Sequence, residues 1–110
     1  MKQYVIDQLR PSDYFKVKGY LDMNLQPSGI PDVYWLVLPD DLQAGLQSEH
    51  ADCRPFYFAL ELGPSSLSCE LLVRTLHQVR CDCMGYATPA QREWLIQTVD
   101  DMFHQLEIAI

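Results

Sequence analysis

Two short clusters hold the residues best suited to chemistry: Cys81-Asp82-Cys83 and His50-x-x-Cys53. Residues two apart on a strand point the same way, so the Cys81 and Cys83 sulfurs would share one face. Three thiolates and an imidazole suit tetrahedral zinc, which makes His50, Cys53, Cys81 and Cys83 the candidate metal ligands. Gly85 would permit the local bend needed to converge two sulfurs on one ion. The spacing departs from the usual structural pair, in which about two to four residues separate the cysteines on a tight turn. The competing reading treats Cys81 and Cys83 as small apolar residues beside Val79 on a buried face, a common habit of free cysteine. On that reading no cofactor is expected; on the ligand reading the cofactor is zinc.

Thiol catalysis has less support. His77 precedes Cys81 by four residues, but no Cys-x-x-Cys motif, helix N-terminus or basic cluster lies near the pair to lower a thiol pKa. His77 and the helical His104 read as solvated or satisfied side chains, and Cys69 as core. Phosphate loops are absent, because the glycines at 19, 29, 45, 63 and 85 are isolated. Neither a His-Glu-x-x-His pair nor a Gly-x-Ser-x-Gly elbow occurs. The sequence therefore leans away from an enzyme.

The elements that would position these residues follow from periodicity. Residues 3–9 read as a strand with Tyr4 and Ile6 on one face and Val5 and Leu9 on the other. Ser12 is the expected cap of a helix over about 13–24, with Tyr14, Val17 and Leu21 at helical spacing. A loop over 26–32 precedes the apolar run Val33–Leu38, which is expected to be a central strand covered on both faces. Asp40 and Asp41 would cap a short helix holding Leu42 and Leu46. Strands over 56–62, 67–74 and 79–87 should form an antiparallel meander. Thr88-Pro89-Ala90-Gln91 is a capping box with proline at the first helical position. Leu95, Val99, Met102, Phe103, Leu106 and Ile110 then predict an amphipathic helix to residue 110. The order β-α-β-(α)-β-β-β-α implies an α+β two-layer sandwich, with a mostly antiparallel sheet of about five strands and the helices on one face.

Composition narrows the partners. The chain has 110 residues, a size expected for one domain, and is 48% hydrophobic and 21% charged. Eight basic against fifteen acidic residues give a net charge of −7, and the basic residues are scattered, which argues against nucleic acid. No uncharged stretch exceeds nine positions, so no membrane span is expected. The first residues, Met-Lys-Gln-Tyr-Val-Ile-Asp, lack the apolar core of a signal peptide, and the expected location is cytoplasmic.

The face of the meander opposite the core would carry Tyr57, Glu61, Glu70, Leu72, Arg74, Arg80, Asp82, Met84 and Tyr86. A solvated face with cross-strand ion pairs is the plain reading. Aromatic, Met and Arg residues also favour an interface, so Tyr57, Glu70, Leu72, Arg74, Met84 and Tyr86 are the candidates for a homo-oligomer or partner surface. Direct contact between Glu70 and Arg74 is not expected on a regular strand, where i and i+4 are too far apart. The favoured function is a non-enzymatic interaction module that self-associates through this face. A zinc-binding protein is the alternative.

Overall fold

In a computed structural model, described for residues 2–43, 45, 47, 55–75 and 85–110, an antiparallel sheet carries two helices on one face. The strands are β1 (Gln3–Ile6), β2 (Gln26–Pro27), β3 (Val33–Val37), β4 (Phe56–Leu62), β5 (Leu67–Glu70), β6 (Leu72–Thr75) and β7 (Gly85–Tyr86). The two helices given in full by the described residues are α1 (Pro11–Asn24) and α2 (Pro89–Gln105), and a 3-10 turn covers Asp40–Leu42. Neighbours run β1-β5-β4-β3-β2, and β6 continues β5 along β4 while pairing with β7. The α+β two-layer expectation holds, with more and shorter strands than anticipated.

Period-two alternation decides the faces. Phe56, Phe58, Leu60 and Leu62 of β4 are buried, as are their neighbours Leu67, Cys69 and Val73. Val17 and Leu21 of α1 and Leu95, Val99 and Phe103 of α2 enter the same cluster. One cross-strand row, Tyr4–Cys69–Leu60–Tyr34, anchors both helices. At one end the Tyr4 hydroxyl donates to Asp100 Oδ1 of α2 at 2.6 Å. At the other the Tyr34 hydroxyl donates to Asp22 Oδ1 of α1 at 2.5 Å and accepts from Lys18 Nζ at 3.4 Å.

Several boundaries differ from expectation for identifiable reasons. Leu9 does not lie opposite Ile6: Gln8 turns through φ 58°, and both Ile6 and Leu9 enter the core. Helix α1 starts at Pro11, with Arg10 and not Ser12 at the N-cap. Pro11 takes the first turn, and Asp13 reaches back to the Arg10 amide and guanidinium at 3.1 Å each. Among the described residues, strand β3 is covered by helices on one face, the side of Tyr34 and Leu36, where α1 and α2 pack. Helix α2 stops at Gln105. Glu107 adopts φ 59°, and the Glu107 and Ile108 amides bond His104 O and Phe103 O, each at 3.0 Å. This Schellman turn buries Ile108 against the core and leaves Ile110 63% exposed. Leu46 and residues 79–84 of the expected strand lie outside the described residues.

The capping box of α2 is present and does more than cap. Thr88 Oγ1 accepts from the Gln91 amide at 3.2 Å, and Gln91 Oε1 accepts from the Thr88 amide at 3.0 Å. The same buried Gln91 donates through Nε2 to Leu42 O at 2.9 Å and Gln47 Oε1 at 2.8 Å. It thereby ties the helix start to the segment after the 3-10 turn.

Candidate functional site

Because both helices occupy one side, the odd-numbered residues of β3 and β4 and the even-numbered residues of β5 and β6 form the opposite face. Val33, Trp35 and Val37 pair with Glu61, Ala59 and Tyr57. Ser68 and Arg74 continue the rows beyond Glu61 and Tyr57, and Tyr86 lies beside Leu72. Of the expected interface residues, the structure thus brings Tyr57, Glu70, Leu72, Arg74 and Tyr86 onto one face, while Met84 lies outside the described residues. Trp35 and Val37 belong to it as well and were missed. Their signal was the unbroken apolar run Val33–Leu38: in an antiparallel sheet with one helix-covered side, such a run must place every second residue on the other side.

The centre of this face is aromatic. The Trp35 and Tyr57 rings lie 4.8 Å apart at 39°, within the range of a favourable tilted pair. Tyr57 is 8% exposed, and that burial pushes its hydroxyl pKa up, with Glu70 adding to the rise and Arg74 opposing it. Outward from this pair the surface opens, with Val37 38%, Val5 45% and Tyr86 51% exposed. Lys2 Nζ sits 5.4 Å from the Tyr86 ring centre in a cation–π contact.

The charges at the centre neutralise each other. Arg74 Nε donates to Glu70 Oε1 at 2.6 Å, overturning the expectation that these residues stand apart. The reason is a change of register. Leu60 pairs with Cys69, but Tyr57 pairs with Arg74, so three steps on β4 match five on the facing chain. That irregularity at Leu71 draws Glu70 and Arg74 to about a two-residue spacing, roughly 7 Å. The hydrogen bond to Glu70 holds the guanidinium firmly protonated, raising its pKa above the ordinary arginine value.

The sulfur candidates divide sharply. Cys69 is fully buried and reduced, and burial pushes its thiol up to about 12, so it is an inert core residue. The expected zinc ligands His50, Cys53, Cys81 and Cys83 lie outside the described residues, as does His77. Among the described residues no three His, Cys, Asp or Glu side chains group to hold a metal ion. His104 is an exposed residue in the last turn of α2, and among the described residues no helix is long and apolar enough to cross a membrane. Compared with known proteins, the chain matches no family model, no curated protein and no solved structure.

Proposed function

We propose that this chain is a non-enzymatic interaction protein that self-associates through the face of its sheet opposite α1 and α2. The observation that carries the reading is the composition of that face. A surface meant to stay in water would alternate polar residues outward; this one presents Trp35, Val37, Tyr57, Leu72 and Tyr86 around an ion pair that is already satisfied. Aromatic and Arg residues are those enriched at interface centres, where unpaired charge is avoided. The pairing of Arg74 with Glu70 supports the same reading, since a pre-formed pair can be covered without stranding a charge. We infer also that it acts in the cytoplasm, where a reduced buried thiol such as Cys69 is the ordinary state.

Sedimentation velocity between about 1 and 100 µM tests the proposal, the upper limit corresponding to association of roughly 5–6 kcal/mol. The expected result is a dimer. Val37→Glu and Tyr86→Glu, both at positions exposed enough to spare the fold, should weaken it at least tenfold and leave the circular dichroism spectrum unchanged. A wild-type chain that stays monomeric at 100 µM would sink the reading, as would variants that dimerise as well as wild type.

A further inference from the structure

We infer that the cleft between α1 and α2 is a binding site for a small, uncharged, largely apolar molecule bearing one hydroxyl or carbonyl group. The cleft follows from how the helices are anchored. Tyr34 holds α1 through Asp22, and Tyr4 holds α2 through Asp100. These tyrosines stand at opposite ends of one cross-strand row, three strand spacings apart, or about 14 Å at the usual inter-strand distance. Helices in direct contact pack with axes roughly 8–10 Å apart. Anchors so widely separated set the helices apart, with Leu60, one of the two residues between the anchors, at the base of the gap and itself 1% exposed.

A cavity of about 290 Å³ occupies that position. Its floor is Leu36 and Leu60 from the sheet. One wall is the last turn of α1, with Tyr20, Asn24 and Leu25, and the other is Thr98, Val99 and Met102 of α2. Leu25 and Leu36 remain half-buried, while Leu60, Val99 and Met102 behind them are buried. Among the described residues, no lining side chain is charged at neutral pH, in a chain where 21% of residues are charged. A charged ligand would find no counter-ion and would be disfavoured on entry. The polar lining is small. Asn24 Nδ2 donates to Tyr20 O at 2.9 Å, which leaves its carbonyl oxygen as an acceptor. The Tyr20 and Thr98 hydroxyls make no hydrogen bond with other described residues. An apolar floor with a few polar groups is the ordinary make-up of a small-molecule site. An apolar cavity of about 150 Å³ accepts benzene, so this one fits a molecule of about two fused rings.

The probe is 2-naphthol, which is fluorescent, uncharged at pH 7 and carries one hydroxyl. Binding is followed by fluorescence anisotropy against the full chain, with naphthalene-2-sulfonate as the charged ligand of the same shape. The expected dissociation constant for 2-naphthol is on the order of tens of micromolar, a moderate efficiency for so small a ligand, and the sulfonate should bind at least tenfold more weakly. Thr98→Trp, at a half-buried position on the cleft wall, should fill the space and weaken 2-naphthol at least tenfold. Tyr20→Phe removes a hydroxyl without removing bulk; it should weaken 2-naphthol about fivefold and leave naphthalene itself unaffected. Absence of 2-naphthol binding at about 1 mM, equal binding of the sulfonate, or unchanged affinity in both variants would overturn the assignment.

Discussion

Replacing Gln91 with Leu should cost far more than an ordinary helix-cap substitution, because this side chain serves two elements at once. It is 1% exposed and makes three side-chain hydrogen bonds, to the Thr88 amide, Leu42 O and Gln47 Oε1. Each bond contributes about 1 kcal/mol net, and a buried group left without its partner adds about 1 more. The greater apolar character of leucine returns about 1 kcal/mol. The expected loss is therefore about 3 kcal/mol, or about 12 °C in melting temperature for a chain of this size. Thr88→Ala removes the cap alone and should cost about 1 kcal/mol. Gln91→Glu adds a signature in pH. A carboxylate at this position faces two acceptor oxygens in a buried setting, so its folded-state pKa must rise above the ordinary glutamate value of about 4.3. A raised folded pKa gives stability that is present at low pH and lost as pH rises through it. This variant should therefore approach wild type near pH 4 and fall away from it toward pH 8. Urea titrations monitored by circular dichroism at both pH values provide the measurement. A loss for Gln91→Leu no larger than that for Thr88→Ala would refute the shared-anchor reasoning.

Two further outcomes test the sheet and its tethers. Tyr4 is held at a pKa of about 12 by its burial first and by Asp100 next, so its contribution is present below the free tyrosine value near 10 and lost as pH rises toward 12. Tyr4→Phe should cost about 1 kcal/mol at pH 7 and flatten the alkaline loss of stability, read by thermal melts between about pH 9 and 12. In β1, the Leu71 amide bonds Lys2 O; by alternation Tyr4 and Ile6 also bond toward β5, and Gln3 and Val5 point their backbone groups outward. Val5→Pro should thus shift the melting temperature by less than about 4 °C, whereas Tyr4→Pro should cost more than about 3 kcal/mol.

How far these features could be read from the residues alone differs from element to element. The capping box at Thr88–Gln91 and the core stripe of Leu95, Val99, Met102 and Phe103 were legible because they are local and use the preferred residue types. The end of the same helix was not. Its Schellman turn places Glu107, and not glycine, in the left-handed region, a choice that costs about 1 kcal/mol or more and leaves no compositional mark. The N-terminus of α1 was misplaced because Arg10, a residue type not known for capping, partners Asp13. The helix-covered side of β3 is not legible in the residues, because an apolar run has no alternation to reveal which face meets water. Tertiary placement of the helices decides that, and with it the membership of Trp35 and Val37 in the open face.

The register change at Leu71 explains why face assignments on the fourth predicted strand survived while a contact on it was missed. Adding an odd number of residues to one strand would have exchanged core and solvent faces for everything beyond it. The facing chain adds two residues between the Leu60–Cys69 and Tyr57–Arg74 pairs, so parity is kept. Leu67, Cys69, Val73 and Thr75 stay inside, and Glu70 and Arg74 stay outside. Parity is visible in a sequence; distance along the partner strand is not. The two extra residues leave the alternation undisturbed while shortening the Glu70–Arg74 separation enough for a 2.6 Å bond. They also mark the point where the outer neighbour changes, since Leu71 accepts from the Ala87 amide on the β7 side and donates to Lys2 O on the β1 side. One local irregularity therefore splits a strand, joins two edge segments end to end, and neutralises the charge at the centre of the proposed interface.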